Sequence, residues 1–390
     1  MIILNNGILE TEGMSGSDRR ALEWIRFFSK RFSVKVITSQ HGTLRYQNLN
    51  LPNMQIFATG KKQSKTHVLV FYVRQVFEAW RHLKSFSDVQ VIYSSSDTIA
   101  DAIPAFLFKR KHPSVKWIAG CHLIQPHPLA KFFKKKFKNF HFSSTLYGWF
   151  SQRLLFFSFR KYADLILVSN ALDRQTLIYR GISVERVMVT PGAVSCSSGY
   201  QRVDVNCCYE GCFIGRNHPQ KGIQDVFEIW FKVVQKYPHA KLSFISDYPY
   251  ALFQKKTKAL GLEQNIFYQG FLMGDRKLRL LQKSKVLLFP SYHESFGLVA
   301  LEALACGVPV VAYELKELQD YYGPEMVRVA LGDTGAFSDR IIELLKDSSH
   351  RQVLSQKGVE TSQKFTWEKT ADLILSNLSS TQGPRPISFT

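Results

Sequence analysis

"KVLLFPSYHESFGLVALEALACGVPVVAYE", residues 285–314, is the stretch that decides the fold. Its opening, "KVLLFPS", is a short unbroken apolar run of the kind that forms a strand buried on both faces. "YHESFG" turns the chain and "LVALEALA" has helical composition. Gly307 suits the position just past a helix end, and Pro309 blocks continuation before the next apolar run, "VPVVAY". Strand, turn, helix and strand together make a βαβ unit, which implies parallel pairing. Two carboxylates, Glu294 and Glu302, interrupt this apolar sequence. A carboxylate is costly to bury alone, so each needs a partner in the protein or in a ligand. Glu294 falls at a strand's carboxyl end beside a helix N-terminus. Glu302 lies about two turns further on, and eight residues advance about 80° net, so the two occupy neighbouring faces.

The same alternation extends in both directions. Strands are expected at "MIILNN", "VKVITS", "VQVIYSS", "KWIAGCH", "DLILVSN" and "RVMVTPG", with helix-like segments such as "SDRRALEWIRFFSKRF" between them. The pattern restarts after "SCSSGYQRVDVN", with strands at "EGCFIGR", "AKLSFISD", "QNIFYQG", "KVLLFPS" and "VPVVAY". The expected fold class is α/β, two doubly wound Rossmann-like domains, one over residues 1–195 and one over 205–365, with a linker near 195–206. Such sheets hold ligands in the crevice beyond the carboxyl ends of their strands, and two facing sheets would share a cleft. Residues 380–390 read as a polar tail.

Charge is unevenly placed. Residues 1–200 hold 28 Lys and Arg against 11 Asp and Glu, so +17 of the net +20 lies in that half. A basic half suggests an anionic surface as its partner. No apolar run reaches the roughly 18 residues of a membrane-spanning helix. "MIILNNGILE" lacks a basic start and a long apolar centre, so it reads as a first strand rather than a signal peptide. The six cysteines, Cys121, Cys196, Cys207, Cys208, Cys212 and Cys306, show no paired metal-ligand spacing and read as reduced thiols.

Phosphate-handling chemistry is concentrated after residue 205. The backbone at Phe296, Gly297 and Leu298 opens a helix, where free N–H groups suit a phosphate and Gly297 permits close approach. Carboxylates there would repel phosphate unless they grip hydroxyls, which suggests a ligand with phosphate and polyol parts. In "FIGRNHPQKG", a strand ends at Gly215, and Arg216 and Lys221 follow in the loop before a helix. Arg can fork onto phosphate oxygens and Lys acts as a point charge, so the pair suits a diphosphate. Taken singly, each of these side chains also fits a helix-end or surface role. Their joint placement on crevice loops and one adjoining helix favours a site.

These residues resemble the retaining glycosyltransferases of family four, which have the GT-B fold. The resemblance rests on "PSYHESFGLVALEALACGVPVVA" with its spaced glutamates, on "GRNHPQKG", on "ADLILVSNALDRQTL" and on "FTWEKTADLIL". It implies an acceptor-binding first domain, a nucleotide-sugar-binding second domain, and a C-terminal helix, residues 366–379, crossing back to the first. Arg216 and Lys221 would hold the donor diphosphate, Glu294 the sugar hydroxyls and Glu302 the ribose, with the amides of Phe296–Leu298 around the distal phosphate. No cofactor or metal is implied, since two cations can neutralise the departing diphosphate.

In the first half, "LETEGMSGSDRRALEW" follows the first strand and opens a helix. The resemblance implies that its Gly-bearing loop, with Gly16, approaches the donor phosphates, although a turn alone also wants glycine. His122 ends "KWIAGCH", a crevice position suited to touching substrate. The family often places a histidine there near the transferred sugar; a buried histidine bonded to backbone is the alternative. His127 reads as loop. "KFFKKKFKNFHF", residues 131–142, sets aromatic residues against lysines if helical, and "WFSQRLLFFSFRKY" continues the theme. The Lys131–Arg160 region is therefore expected to make peripheral contact with an anionic membrane; an amphipathic helix with its lysines in water is the alternative. No nucleic-acid-binding module is recognisable.

Two departures from the family pattern stand out: "TPGAVS" has no acidic residue after its turn, and "ELKELQDYYG" follows "VVAY". The expectation is a metal-independent retaining hexosyltransferase in polysaccharide biosynthesis, cytoplasmic or peripheral on the inner face of the plasma membrane. Its acceptor would be a lipid-linked or cell-surface glycan. The alternatives are a non-catalytic nucleotide-sugar-binding subunit and a nucleotide-sugar epimerase of the same fold.

Overall fold

The structure is a computed structural model and describes residues 1–8, 14–60, 68–125, 127, 142–195 and 207–379. It divides into two compact units, Met1–Pro191 with Trp367–Thr390, and Gly192–Thr366.

The first unit begins with β1 (Ile2–Asn5), α1 (Gly16–Phe28), β2 (Val34–Ser39), α2 (Gln40–Gln47) and β3 (Met54–Thr59). The chain returns through α3 (Val68–Lys84) to β4 (Val91–Ser94). It then steps outward through α4 (Ile99–Lys111), β5 (Lys116–Gly120), α5 (Phe142–Tyr162), β6 (Leu165–Val168), α6 (Ala171–Tyr179) and β7 (Val187–Val189). All seven strands are parallel, in the order β3-β2-β1-β4-β5-β6-β7. β1, β4 and β6 are buried along their whole length, as their unbroken apolar runs require when helices cover both faces. α1 starts with a reciprocal cap in which Ser15 Oγ accepts from Asp18 N, while the Asp18 carboxylate accepts from Ser15 N.

The second unit repeats the plan. β8 (Tyr209–Ile214), α7 (Ile223–Lys236), β9 (Leu242–Ile245), α8 (Tyr250–Leu260) and β10 (Ile266–Gly270) form one half. α9 (Gly274–Gln282), β11 (Ser284–Phe289), α10 (Leu298–Ala305), β12 (Val310–Tyr313) and β13 (Met326–Val329) form the other, followed by α11 (Thr334–Lys346) and α12 (Ser348–Gln363). The six parallel strands run β10-β9-β8-β11-β12-β13. Each sheet therefore reverses direction once, between β1 and β4 and between β8 and β11. Those are the switch points where doubly wound sheets bind ligands.

The last helix, α13 (Trp367–Ser379), belongs to the first unit and packs on α1. Trp24 Nε1 donates to Thr370 Oγ1 at 2.8 Å, and the Trp24 and Trp367 rings meet edge to face at 6.3 Å. Trp367, Ala371, Ile374 and Leu375 are all buried.

Two strands of the structure, β3 and β13, are missing from the sequence reading; both are edge strands. Most of the linker, the tail 380–390, and residues 131–141 of the basic aromatic stretch lie outside the described residues. The remainder of the Lys131–Arg160 region is α5. Among the described residues no helix is long and apolar enough to cross a membrane.

Candidate functional site

At the second switch point the chain leaves β8 and β11 in two loops that fit closely together. Gly222 adopts φ +65, and a Cβ there would lie 2.0 Å from the Pro290 carbonyl oxygen, so only glycine lets the two backbones pass. Tyr292 N donates to Gln220 O at 2.8 Å, and the Gln220 side-chain amide donates to His293 O. This pairing aims Lys221 at Glu294: Nζ to Oε1 is 2.5 Å, with the carboxylate largely buried. Lys221 Nζ also stands 5.9 Å from the centre of the Phe289 ring. Beside it, Arg216 is exposed, and its guanidinium forms no ion pair among the described residues. Gly215, at the end of β8, would bring a Cβ within 3.2 Å of Lys221 Cβ.

The loop after Glu294 is anchored by its aromatic residue. Phe296 is buried against Tyr321, Tyr322 and Phe365, with ring centroids 5.1, 5.7 and 5.4 Å away. Tyr322 Oη donates to Phe296 O at 3.0 Å. Gly297 then takes φ +80 and starts α10 without a side-chain cap. Among the described residues, the amides of Phe296, Gly297 and Leu298 donate to no acceptor. A helix N-terminus with open amides and a nearby pair of cations is suited to an anion.

Glu302 sits further along α10, largely buried, with Lys277 Nζ of α9 at 2.5 Å. The structure thus brings Lys221 and Glu294 into direct contact and gives Glu302 a partner absent from the sequence reading. Lys277 is one cation among many in "GDRKLRLLQKSK" and carries no distinguishing signal. Asp225 is a second omission. Its Oδ2 accepts from Tyr292 Oη at 2.5 Å and from Tyr313 Oη at 2.6 Å, all buried. Tyr292 lies two residues before Glu294, so this carboxylate tethers the loop from beneath.

His218 lies between the cations. Although the residue is exposed overall, desolvation of its ring, then Arg216 and Lys221, lower its pKa to about 4. Its Nδ1 accepts from Gln220 N at 3.3 Å, as a neutral ring does.

In the first unit, Gly16 is the first residue of α1, and its carbonyl accepts from Arg20 at 3.4 Å. His122 follows β5 and is buried, 5.9 Å from the Trp24 ring. Neither ring nitrogen has a hydrogen-bond partner among the described residues. Burial, then Arg20, hold its pKa well below the usual value, so the ring is neutral. His127 is exposed. The first switch point holds a polar network. Asn5 Nδ2 donates to Asp18 at 2.9 Å and to Ser95 at 2.7 Å. Asp101 accepts from Ser95 at 3.0 Å, from Ser96 at 2.6 Å and from Asn6 N at 2.5 Å.

Two doubly wound parallel units in tandem define the GT-B class of fold. Residues 210–361 match the family described as Glycosyl transferases group 1. The chain is 26% identical over 226 residues to O-antigen chain mannosyltransferase B of Escherichia coli, covering 53% of this chain and 58% of that protein. It is 33% identical over 153 residues to N-acetyl-alpha-D-glucosaminyl L-malate synthase of Bacillus anthracis, covering 38% and 39%. The matched stretches thus span about half the length of these curated relatives or less. Among solved structures, Anabaena HepE in complex with UDP-glucose superimposes with a TM-score of 0.75 at 15% identity, over 97% of this chain and 98% of that one. This is a likeness of fold.

Proposed function

We propose that the protein transfers a hexosyl group from a nucleotide-diphospho-sugar to an acceptor hydroxyl, with retention of anomeric configuration and without a metal ion. The observation that carries this reading is the Lys221–Glu294 pair at 2.5 Å, held at the strand ends where the second sheet reverses. Arg216, Lys221 and the open amides of α10 supply positive potential for a diphosphate. Glu294 and Glu302 each engage a lysine through one oxygen and can accept ribose or sugar hydroxyls at the other. As the bond from the anomeric carbon to the diphosphate oxygen lengthens, negative charge grows on the leaving group. Prepositioned cations and amides stabilise that charge without rearranging, and removing one such group typically costs about 10²–10³ in rate. With no protein nucleophile assigned, attack occurs on the face the diphosphate leaves, and the diphosphate takes the acceptor proton.

Gly16 and the neutral His122 are assigned to the donor phosphates and the transferred sugar respectively. The acceptor is proposed to be a lipid-linked or cell-surface glycan at the cytoplasmic face of a membrane, consistent with the basic first half. The relatives named for mannosyl and N-acetylglucosaminyl compounds support a nucleotide-sugar donor.

A thermal-shift panel of nucleoside diphosphates and their sugars, run with a chelator present, tests the reading. Binding raises native stability by mass action, by about 2.7 kcal/mol at a hundred times Kd. One nucleoside diphosphate and its sugar are expected to raise Tm, and Lys221→Ala to abolish the rise. No shift with any nucleotide would refute the reading. Stabilisation without turnover in any acceptor mixture would leave a binding subunit, and donor conversion without acceptor would leave an epimerase.

A further inference from the structure

α3, α4 and α5 lie side by side against one face of the first sheet, α4 between the other two. The sheet-facing side of α3 is marked by Phe71, Gln75, Ala79 and Leu83, all buried and four residues apart. At 100° per residue, the opposite side carries Val70, Val73 and Phe77. Solvent should find polar residues there. Instead Phe77 is 62% exposed and Val73 59%. α5 repeats the arrangement. Leu155, Phe156 and Phe159 face inward, while the outward side carries Phe150, Leu154 and Phe157, the last 70% exposed. Between them α4 carries Leu107, partly exposed, while Ile103 is partly buried against the core. Three adjacent helices therefore present apolar side chains on their shared outer surface. An apolar patch of this breadth marks an interaction site.

The charges along these helices identify the occupant. α3 contributes Arg74 and Arg81, α4 Arg110, and α5 Arg153, Arg160 and Lys161. The acidic residues of the three helices are Glu78, paired with Arg74 at 2.7 Å, and Asp101, buried in the polar network. The helices that carry these apolar side chains thus also carry exposed cations in excess of acids. A second copy of the same face would bring like charges together, which disfavours self-association. A bilayer surface with anionic headgroups satisfies both properties at once: apolar side chains enter the acyl boundary and cations meet lipid phosphates.

We propose that the outer surface of α3, α4 and α5 docks the protein on an anionic lipid bilayer, through Val73, Phe77, Leu154 and Phe157 and the arginines of the same helices. This surface adds α3 and α4 to the α5 segment singled out in the sequence. It does not rest on the donor site, and a chain that turned over no nucleotide sugar would leave it standing.

Co-sedimentation of the full chain with vesicles of phosphatidylcholine alone, and with phosphatidylglycerol added, tests the proposal. Anionic vesicles should retain about ten-fold more protein than neutral ones, less as salt rises. Two variants, Val73→Ser/Phe77→Ser and Leu154→Ser/Phe157→Ser, keep the net charge and change exposed positions. Each is expected to lower partitioning by about ten-fold through lost apolar burial, with Tm and circular dichroism unchanged. Sedimentation of both variants equal to wild type, or absence of binding by the wild type, would overturn the proposal. A wild-type dimer that dissociates in both variants would also overturn it, assigning the surface to self-association.

Discussion

Lys221 and Glu294 are largely buried together, and neither is tolerated alone. Removing one partner of such a pair leaves an unpaired charge, which typically costs about 3–5 kcal/mol, whereas replacing both is far milder. Lys221→Met is therefore expected to lower the urea midpoint markedly, and Lys221→Met/Glu294→Gln to recover most of the loss. Equal midpoints for the single and double variants would contradict the pair's geometry. Asp101 offers a test with a pH signature. Burial raises its carboxyl to about 7, against an ordinary value of 3.8. Between these pH values the native state holds a proton that the unfolded chain has released. Stability from this group is thus full below pH 4, falls as pH rises toward 7, and stays low above it, by roughly 4 kcal/mol at most. Asp101→Asn should flatten that slope in urea titrations run from pH 4 to 8; an unchanged slope would exclude Asp101 as its source.

The elements differ in how plainly the sequence announces them. Central strands such as "KVLLFPS" and "DLILVSN" are buried on both faces, so their apolar runs are unbroken and the βαβ rhythm is plain. The edge strands lack that signal. β3 is largely half-exposed and mixes Gln55 with apolar residues, and β13 is four residues long with Arg328 inside it. At the site, Glu294 and Glu302 stand out because carboxylates in an apolar run need partners. Asp225 does not, because an acid in the first turn of an amphipathic helix reads as a dipole complement. Only the tertiary fold brings Tyr292 and Tyr313 to it. Lys277 is hidden for the same reason: its partner lies on another helix. The close passage of the two site loops cannot be read from "QKG" either, since it depends on where Pro290 falls. Gly222→Ala places a Cβ 2.0 Å from that carbonyl in a left-handed conformation. It should cost more than the ~1 kcal/mol of an ordinary left-handed glycine replacement and should weaken nucleotide binding with it. Calorimetry with wild-type Tm and affinity would contradict this account of the loops.

Over the whole molecule, the first unit is assembled from two distant pieces of chain, Met1–Pro191 and the segment starting at Trp367. Trp367 covers Trp24, and its truncation should cost about 3–5 kcal/mol, the usual range for a buried Trp→Ala. That loss should appear in the unfolding of the first unit, read by hydrogen exchange on α1, while β8–β13 keep their protection; equal loss in both units would show that α13 serves more than its own unit. On the proposed function the donor chemistry belongs to the second unit, so its cations and carboxylates should govern turnover. The central claim is tested most directly by nucleoside diphosphate release from a panel of nucleotide sugars, with a membrane glycolipid extract as acceptor and a chelator present. The account predicts that one donor is consumed by the wild type and that Lys221→Ala and Glu294→Gln each reduce the rate by about 10² or more. Consumption of that donor at the wild-type rate by both variants would contradict it.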